Sequence, residues 1–145
     1  ISSHFVFDPG SEDRSFLLLG DETSLKVTEL FDMSFANVSL LTLSACATAV
    51  PGNRYRGIEV ESFASRAQQR GARAIVATLW KVSDAGTAEF MQRFYRRRFK
   101  QGESLSNALR STQSEFIKGE VHSLATRNWK HPYYWAPFVL MGNPL

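Results

Sequence analysis

Apolar and polar positions along this chain follow two rhythms, short β-like runs and longer stretches with helical spacing. Residues 4–8 and 16–19 read as short strands, separated by Pro9-Gly10 and a charged turn. Ser24 stands as an N-cap ahead of a helix running to about Met33, with Val27, Leu30 and Phe31 facing inward. A strand over 38–45 comes next, and Pro51-Gly52-Asn53 opens a polar loop that reaches Gly57. Val60, Phe63, Ala64 and Ala67 then recur at helical intervals, predicting an amphipathic helix stopped by Gly71.

The second half repeats the alternation with stronger signals. Residues 74–80 form a near-continuous apolar run, the pattern of a parallel strand covered on both faces. Ser83 caps a long helix whose Phe90, Met91, Phe94, Tyr95 and Phe99 line one broad side, ending at Gly102. Ser104 starts another, with Leu105, Ala108, Leu109, Thr112 and Phe116 at helical spacing. A last strand spans 134–141, before Gly142-Asn143-Pro144. Strands alternating with helices of this length predict an α/β domain built on a mainly parallel sheet with right-handed crossovers.

Composition narrows the class. A chain of 145 residues with 43% hydrophobic and 12% aromatic content is one globular domain, 1–145. A single cysteine excludes an internal disulfide framework and favours a reducing compartment, so the expected location is cytoplasmic. No apolar stretch approaches the roughly 18 residues needed to cross a bilayer, so no membrane partner is expected. The opening Ile1-Ser2-Ser3-His4 carries no methionine or basic leader, and the sequence reads as an excised piece of something larger. The net charge of +3 gathers at Arg93, Arg96, Arg97, Arg98 and Lys100. That cluster reads as a solvated helix face, since no stacking aromatics interleave with it on the same side, and nucleic acid is not an expected partner.

The chemistry centres on Cys46, which ends the run Leu40-Leu41-Thr42-Leu43-Ser44-Ala45-Cys46. In open parallel sheets, strand carboxyl ends are where ligands collect, so a thiol there is either a nucleophile or a small packing group. A thiolate needs a base or cation beside it. His4 meets that need if its strand and the cysteine strand are parallel neighbours, and the chain between them is long enough for a crossover. His131, in His131-Pro132-Tyr133, reads as a capping or packing residue, and His122 as solvated. One cysteine and three scattered histidines give no metal-ligand spacing, and 52–57 lacks the phosphate-binding glycine patterns. No metal and no cofactor are expected.

Three motifs in order resemble the CHAT domain across nearly the whole chain. They are Leu43-Ser44-Ala45-Cys46-Ala47-Thr48; Gly71-Ala72-Arg73-Ala74-Ile75-Val76-Ala77-Thr78-Leu79-Trp80-Lys81-Val82-Ser83-Asp84; and His131-Pro132-Tyr133-Tyr134-Trp135-Ala136-Pro137-Phe138-Val139-Leu140-Met141-Gly142. That family comprises caspase-like cysteine peptidases, mostly bacterial, related to separase and often fused to tetratricopeptide repeats. The resemblance, to its C-terminal part, implies a three-layer caspase-like fold with helices on both faces of the sheet and the strands ahead of the histidine cut away. It also implies a tetratricopeptide-repeat region upstream in the full-length protein.

Carried over residue by residue, Cys46 matches the nucleophile, and Ser2-Ser3-His4-Phe5 matches the block that ends in the catalytic histidine and a glycine. Phe5 stands where that glycine is usual. The implied activity is a cysteine endopeptidase acting on a protein or peptide substrate in bacterial signalling, with the backbone amides of Cys46 and Phe5 as oxyanion hole. The alternative is an inactive interaction module on the same fold. Trp80 and Asp84 fall in a stretch that resembles the specificity pocket of separase-like enzymes, where Asp84 would accept an arginine or lysine side chain. As a helix-start residue, Asp84 equally serves the helix dipole. Glu59 and Glu61 are weaker candidates for the same role.

Overall fold

The computed structural model describes residues 4–6, 12–18, 20–43, 46–47, 56–121 and 128–145. The strands are β1 His4–Val6, β2 Phe16–Leu18, β3 Ser24–Lys26, β4 Leu41–Leu43, β5 Cys46–Ala47, β6 Ala74–Thr78 and β7 Phe138–Gly142. The helices are α1 Val27–Asp32, α2 Arg56–Gln69, α3 Asp84–Tyr95 and α4 Leu105–Lys118. The result is a mixed α/β architecture with strand orders β3-β2-β1-β5 and β4-β6-β7. No helix among the described residues is long and apolar enough to cross a membrane.

The five residues of β6 are all buried, as the uninterrupted apolar run requires. Successive residues of a strand face opposite ways, and β6 divides the core accordingly. Ile75 and Ala77 join Phe63, Ala64 and Ala67 of α2 in one cluster. Ala74 and Val76 join Phe90 and Phe94 of α3, Leu105, Ala108 and Phe116 of α4, and Phe138 of β7 in the other. In this second cluster Phe90 stacks on Phe138 with ring centroids 3.8 Å apart and meets Phe116 at 5.3 Å.

The described pairings are two parallel and three antiparallel, so the sheets are mixed where the alternation of elements predicts a mainly parallel one. The reason lies in the connections. One helix, α2, separates β4 from β6, and these pair in parallel. Two helices separate β6 from β7, so the chain is back at the carboxyl edge of β6 before the last strand starts, and β7 runs antiparallel. β1, β2 and β3 form an antiparallel meander.

Local signals fared unevenly. Ser83 and Ser104 cap α3 and α4 as expected, their hydroxyls accepting from the backbone N–H of Gly86 and Asn107. Gly71 takes φ +106°, and a Cβ there would stand 2.7 Å from Ala36 Cα, so only glycine fits this stop. Ser24 is not an N-cap. Residues 24–26 pair with β2, and α1 starts only at Val27, where Glu29 Oε2 accepts from the Lys26 N–H instead. The last strand starts at Phe138 rather than 134, because Pro132 initiates a 3₁₀ turn over Pro132–Tyr134. Beyond α3 the chain tightens no further into α-helix but continues as a π-helical turn, Arg96–Lys100, which leaves Phe99 68% exposed rather than on the inward stripe.

The basic cluster is a solvated face only in part: Arg96 and Lys100 are exposed, but Arg93 and Arg97 are paired. Arg93 pairs with Glu89 at 2.8 Å and with Glu115 at 3.1 Å, while Arg97 pairs with Glu103 at 3.0 Å and also with Glu115. Glu115, on α4, thus ties two arginines from the preceding helical run. Burial draws the Arg97 guanidinium down, but Glu115 and Glu103 outweigh it and hold its pKa above the ordinary value.

Candidate active site

Two neighbouring strands bring the sequence-predicted reactive residues together. β1 and β5 pair in parallel, with His4 in register with Cys46 and Phe5 with Ala47. The parallel adjacency that a histidine–cysteine pair requires is therefore present in the backbone. Residues in register on adjacent strands stand roughly 4.8 Å apart in the hydrogen-bonding direction. Side chains of His4, Phe5 and Cys46 lie outside the described part of the structure.

Cys46 follows β4 closely, and β4 is firmly set. Leu41 and Leu43 are buried in the α2-side cluster, and Thr42 Oγ1 lies 2.7 Å from the hydroxyl of Tyr95, which donates to it from the end of α3. β4 is in register with β6 through Leu43 and Ala77. Counting onward, Cys46 is three residues past Leu43, and Trp80 is three residues past Ala77. Both chains leave their strands at the same carboxyl edge, the edge at which open α/β sheets collect ligands.

Trp80 is half-buried, and its indole N–H donates to the Tyr133 carbonyl at 3.4 Å. Asp84 is the first residue of α3, directly after the cap Ser83. It is exposed, and among the described residues its carboxylate has no hydrogen bond or ion pair. Its charge favours the positive end of the α3 dipole. Glu59 and Glu61 fall within α2, with side chains outside the described part.

His131 does what a capping histidine does: its Nδ1 accepts from the Tyr133 N–H at 3.2 Å. His122 lies outside the described residues, as does the loop 51–55. Among the described residues no group of three or more histidine, cysteine or carboxylate side chains comes together that would hold a metal ion. The Tyr95–Thr42 bond is a feature sequence reasoning missed. Its partners are far apart in the chain, and a tyrosine on an apolar stripe carries no signal that its hydroxyl reaches a strand.

Comparison with known proteins gives one family. The model of the CHAT domain matches residues 1–143, nearly the whole chain. No curated protein matches it.

Proposed function

Because the chain belongs to the CHAT domain family, which is caspase-like, we propose that it is a cysteine endopeptidase working through a Cys46–His4 dyad on a three-layer caspase-like sheet. The observation that carries this reading is the parallel register of His4 with Cys46. No other described feature unites the only thiol of the chain with a base.

The chemistry is acyl transfer. The Cys46 thiolate, its charge favoured by the imidazolium of His4, attacks the scissile carbonyl carbon, and the carbonyl electron pair moves onto oxygen. Backbone N–H groups of Cys46 and Phe5 stabilise that oxyanion. The C–N bond then breaks, and the leaving amine takes its proton from His4. Water, deprotonated by His4, attacks the thioester; the C–S bond breaks and the thiolate returns. Asp84 serves as the acceptor for an arginine or lysine side chain ahead of the cut, with Trp80 as a pocket wall. Its unpartnered carboxylate and its place at the Cys46 edge support that role.

A peptidyl electrophile with a basic residue before its warhead tests the proposal. Wild type takes one label per chain, Cys46→Ala takes none, and His4→Ala slows labelling by about 10²–10⁴. A neutral residue in place of the basic one, or Asp84→Asn, weakens recognition. Labelling that survives Cys46→Ala, or never occurs, overturns the reading.

One observation favours the second reading, an inactive interaction module. Phe5 lies inside β1, in register with Leu17 on one side and Ala47 on the other. Strand interiors commit backbone N–H groups to ladder bonds, which competes with an oxyanion role. This reading predicts partner binding indifferent to Cys46→Ala and no label on the wild type.

A further inference from the structure

At the amino edge of β4 and β6, opposite the edge followed by Cys46, an open cavity of about 520 Å³ lies where β7 ends. Small-ligand sites span roughly 300–1,000 Å³. The residues that line it include two arginines, Arg73 and Arg98, with Phe99 and the uncharged polar residues Asn37, Ser39 and Asn143. No Asp or Glu is among the described residues that line it. The charged side chains among these residues are therefore both cationic, and two like charges beside one cavity repel until an anion sits between them.

Neither arginine has an ion pair among the described residues. The nearest carboxylate in sequence, Glu103, is taken by Arg97. Arg73 makes no side-chain hydrogen bond or ion pair among the described residues. Arg98 donates one N–H to the Glu103 carbonyl at 3.2 Å, which fixes the arm and leaves the rest of its donor fork unclaimed. Its guanidinium stands 6.0 Å from the centroid of Phe99. Both residues belong to the π turn Arg96–Lys100, where the Gln101 N–H reaches back five residues to the Arg96 carbonyl. Such turns are rare and gather at functional sites. Here the turn leaves a large aromatic ring 68% exposed beside a cationic cavity.

We propose that this cavity binds a ligand of mononucleotide class. Its phosphate lies between Arg73 and Arg98, whose planar forks suit phosphate oxygens. Its base stacks on Phe99, and Asn37 and Ser39 offer amide and hydroxyl groups to base and sugar, with the amide N–H₂ of Asn143, whose Oδ1 already accepts from the Leu145 N–H. Two arginines alone would take any small anion; the exposed ring at the cavity mouth is what selects a planar one.

Calorimetric titration of the chain with AMP, and in parallel with adenosine and inorganic phosphate, tests this. AMP binds saturably and more tightly than either part. Arg73→Gln and Arg98→Gln each weaken AMP by about tenfold, the worth of a charge-assisted bond. Phe99→Ala weakens AMP and adenosine but leaves inorganic phosphate unchanged. Arg73 and Phe99 are exposed, so these two variants keep the wild-type melting temperature and carry the test even if Arg98→Gln unfolds. Absence of saturable AMP binding overturns the proposal, as does binding that Arg73→Gln leaves unmoved. So does an acidic peptide that outcompetes AMP while Phe99→Ala is silent, which would assign the cavity to polypeptide.

Discussion

The β6–β7 region and the β1–β2–β3 region of this molecule are held in different ways. Around β6 and β7 the strands are five residues long, and a closed aromatic cluster joins them to α3 and α4. Across that helix pair the ion pairs of Arg93, Arg97, Glu103 and Glu115 add a second tie. β1, β2 and β3 have three residues each and β5 has two, and ladder register joins them. The proposed catalytic pair sits in this second region. Side-chain burial thus builds a frame around β6, and backbone pairing sets His4 beside Cys46. Stability should then be lost from the frame and chemistry from the paired strands.

The sharpest break of that contrast is Phe90→Ala. The side chain is fully buried and shares the cluster with Phe116 and Phe138. Phe→Ala in a core costs about 3–5 kcal/mol, a large part of the roughly 5–15 kcal/mol that holds a domain. Urea unfolding should show the midpoint falling accordingly, and electrophile labelling falling with it in one transition. Labelling that persists after the frame has melted would mean that β1 and β5 hold together without it.

A smaller loss is expected of Glu115→Gln. The carboxylate is about one-fifth exposed and accepts from both Arg93 and Arg97. An exposed ion pair is worth about 0–1 kcal/mol, and removing one partner of a fully buried pair costs about 3–5 kcal/mol. Two partly buried bridges lost together place this change between them, at about 1–2 kcal/mol by denaturant titration. Raising salt should shrink the wild-type advantage only slightly, because the pairs are shielded from bulk solvent. A loss below about 0.5 kcal/mol, within the range of ordinary surface substitutions, would return Arg93 and Arg97 to the solvated face that their sequence pattern predicts.

What could be read from the sequence follows from the range of the interactions. β6, the capped starts of α3 and α4 and the stop at Gly71 were legible because each depends on residues within one turn or one strand. The neighbouring of His4 and Cys46 was legible too, as a conditional: a thiol that ends a strand and a histidine within another need only a crossover between them. Ser24 misled because the same serine suits a cap and a strand start, and the choice is made by β2, a partner elsewhere in the chain. The direction of β7 depended on counting two helices rather than one. Arg97 was read as solvated because its partner Glu115 lies 18 residues away, beyond any helical spacing. The turn that exposes Phe99 leaves no periodic trace at all.

The mildest test falls on the turn between β2 and β3. Asp21 accepts from the Thr23 hydroxyl at 2.6 Å and from the Thr23 N–H at 3.1 Å, and Glu22 between them takes φ 66°, a left-handed conformation. The two Thr23 donors, the hydroxyl first, hold the Asp21 carboxyl below its ordinary pKa of 3.8. A carboxyl whose folded pKa is depressed binds its proton less readily in the folded chain than in the unfolded one. Its contribution is therefore complete above 3.8, declines as the pH falls and is lost below the lower folded value. Asp21→Asn should lower the melting temperature slightly at pH 7, with the two proteins converging in acid. The site is fully exposed, so the difference should be the smallest of the three. If it rivals Phe90→Ala, the β2–β3 turn is holding far more than its own hairpin, and the division into a buried frame and paired strands fails.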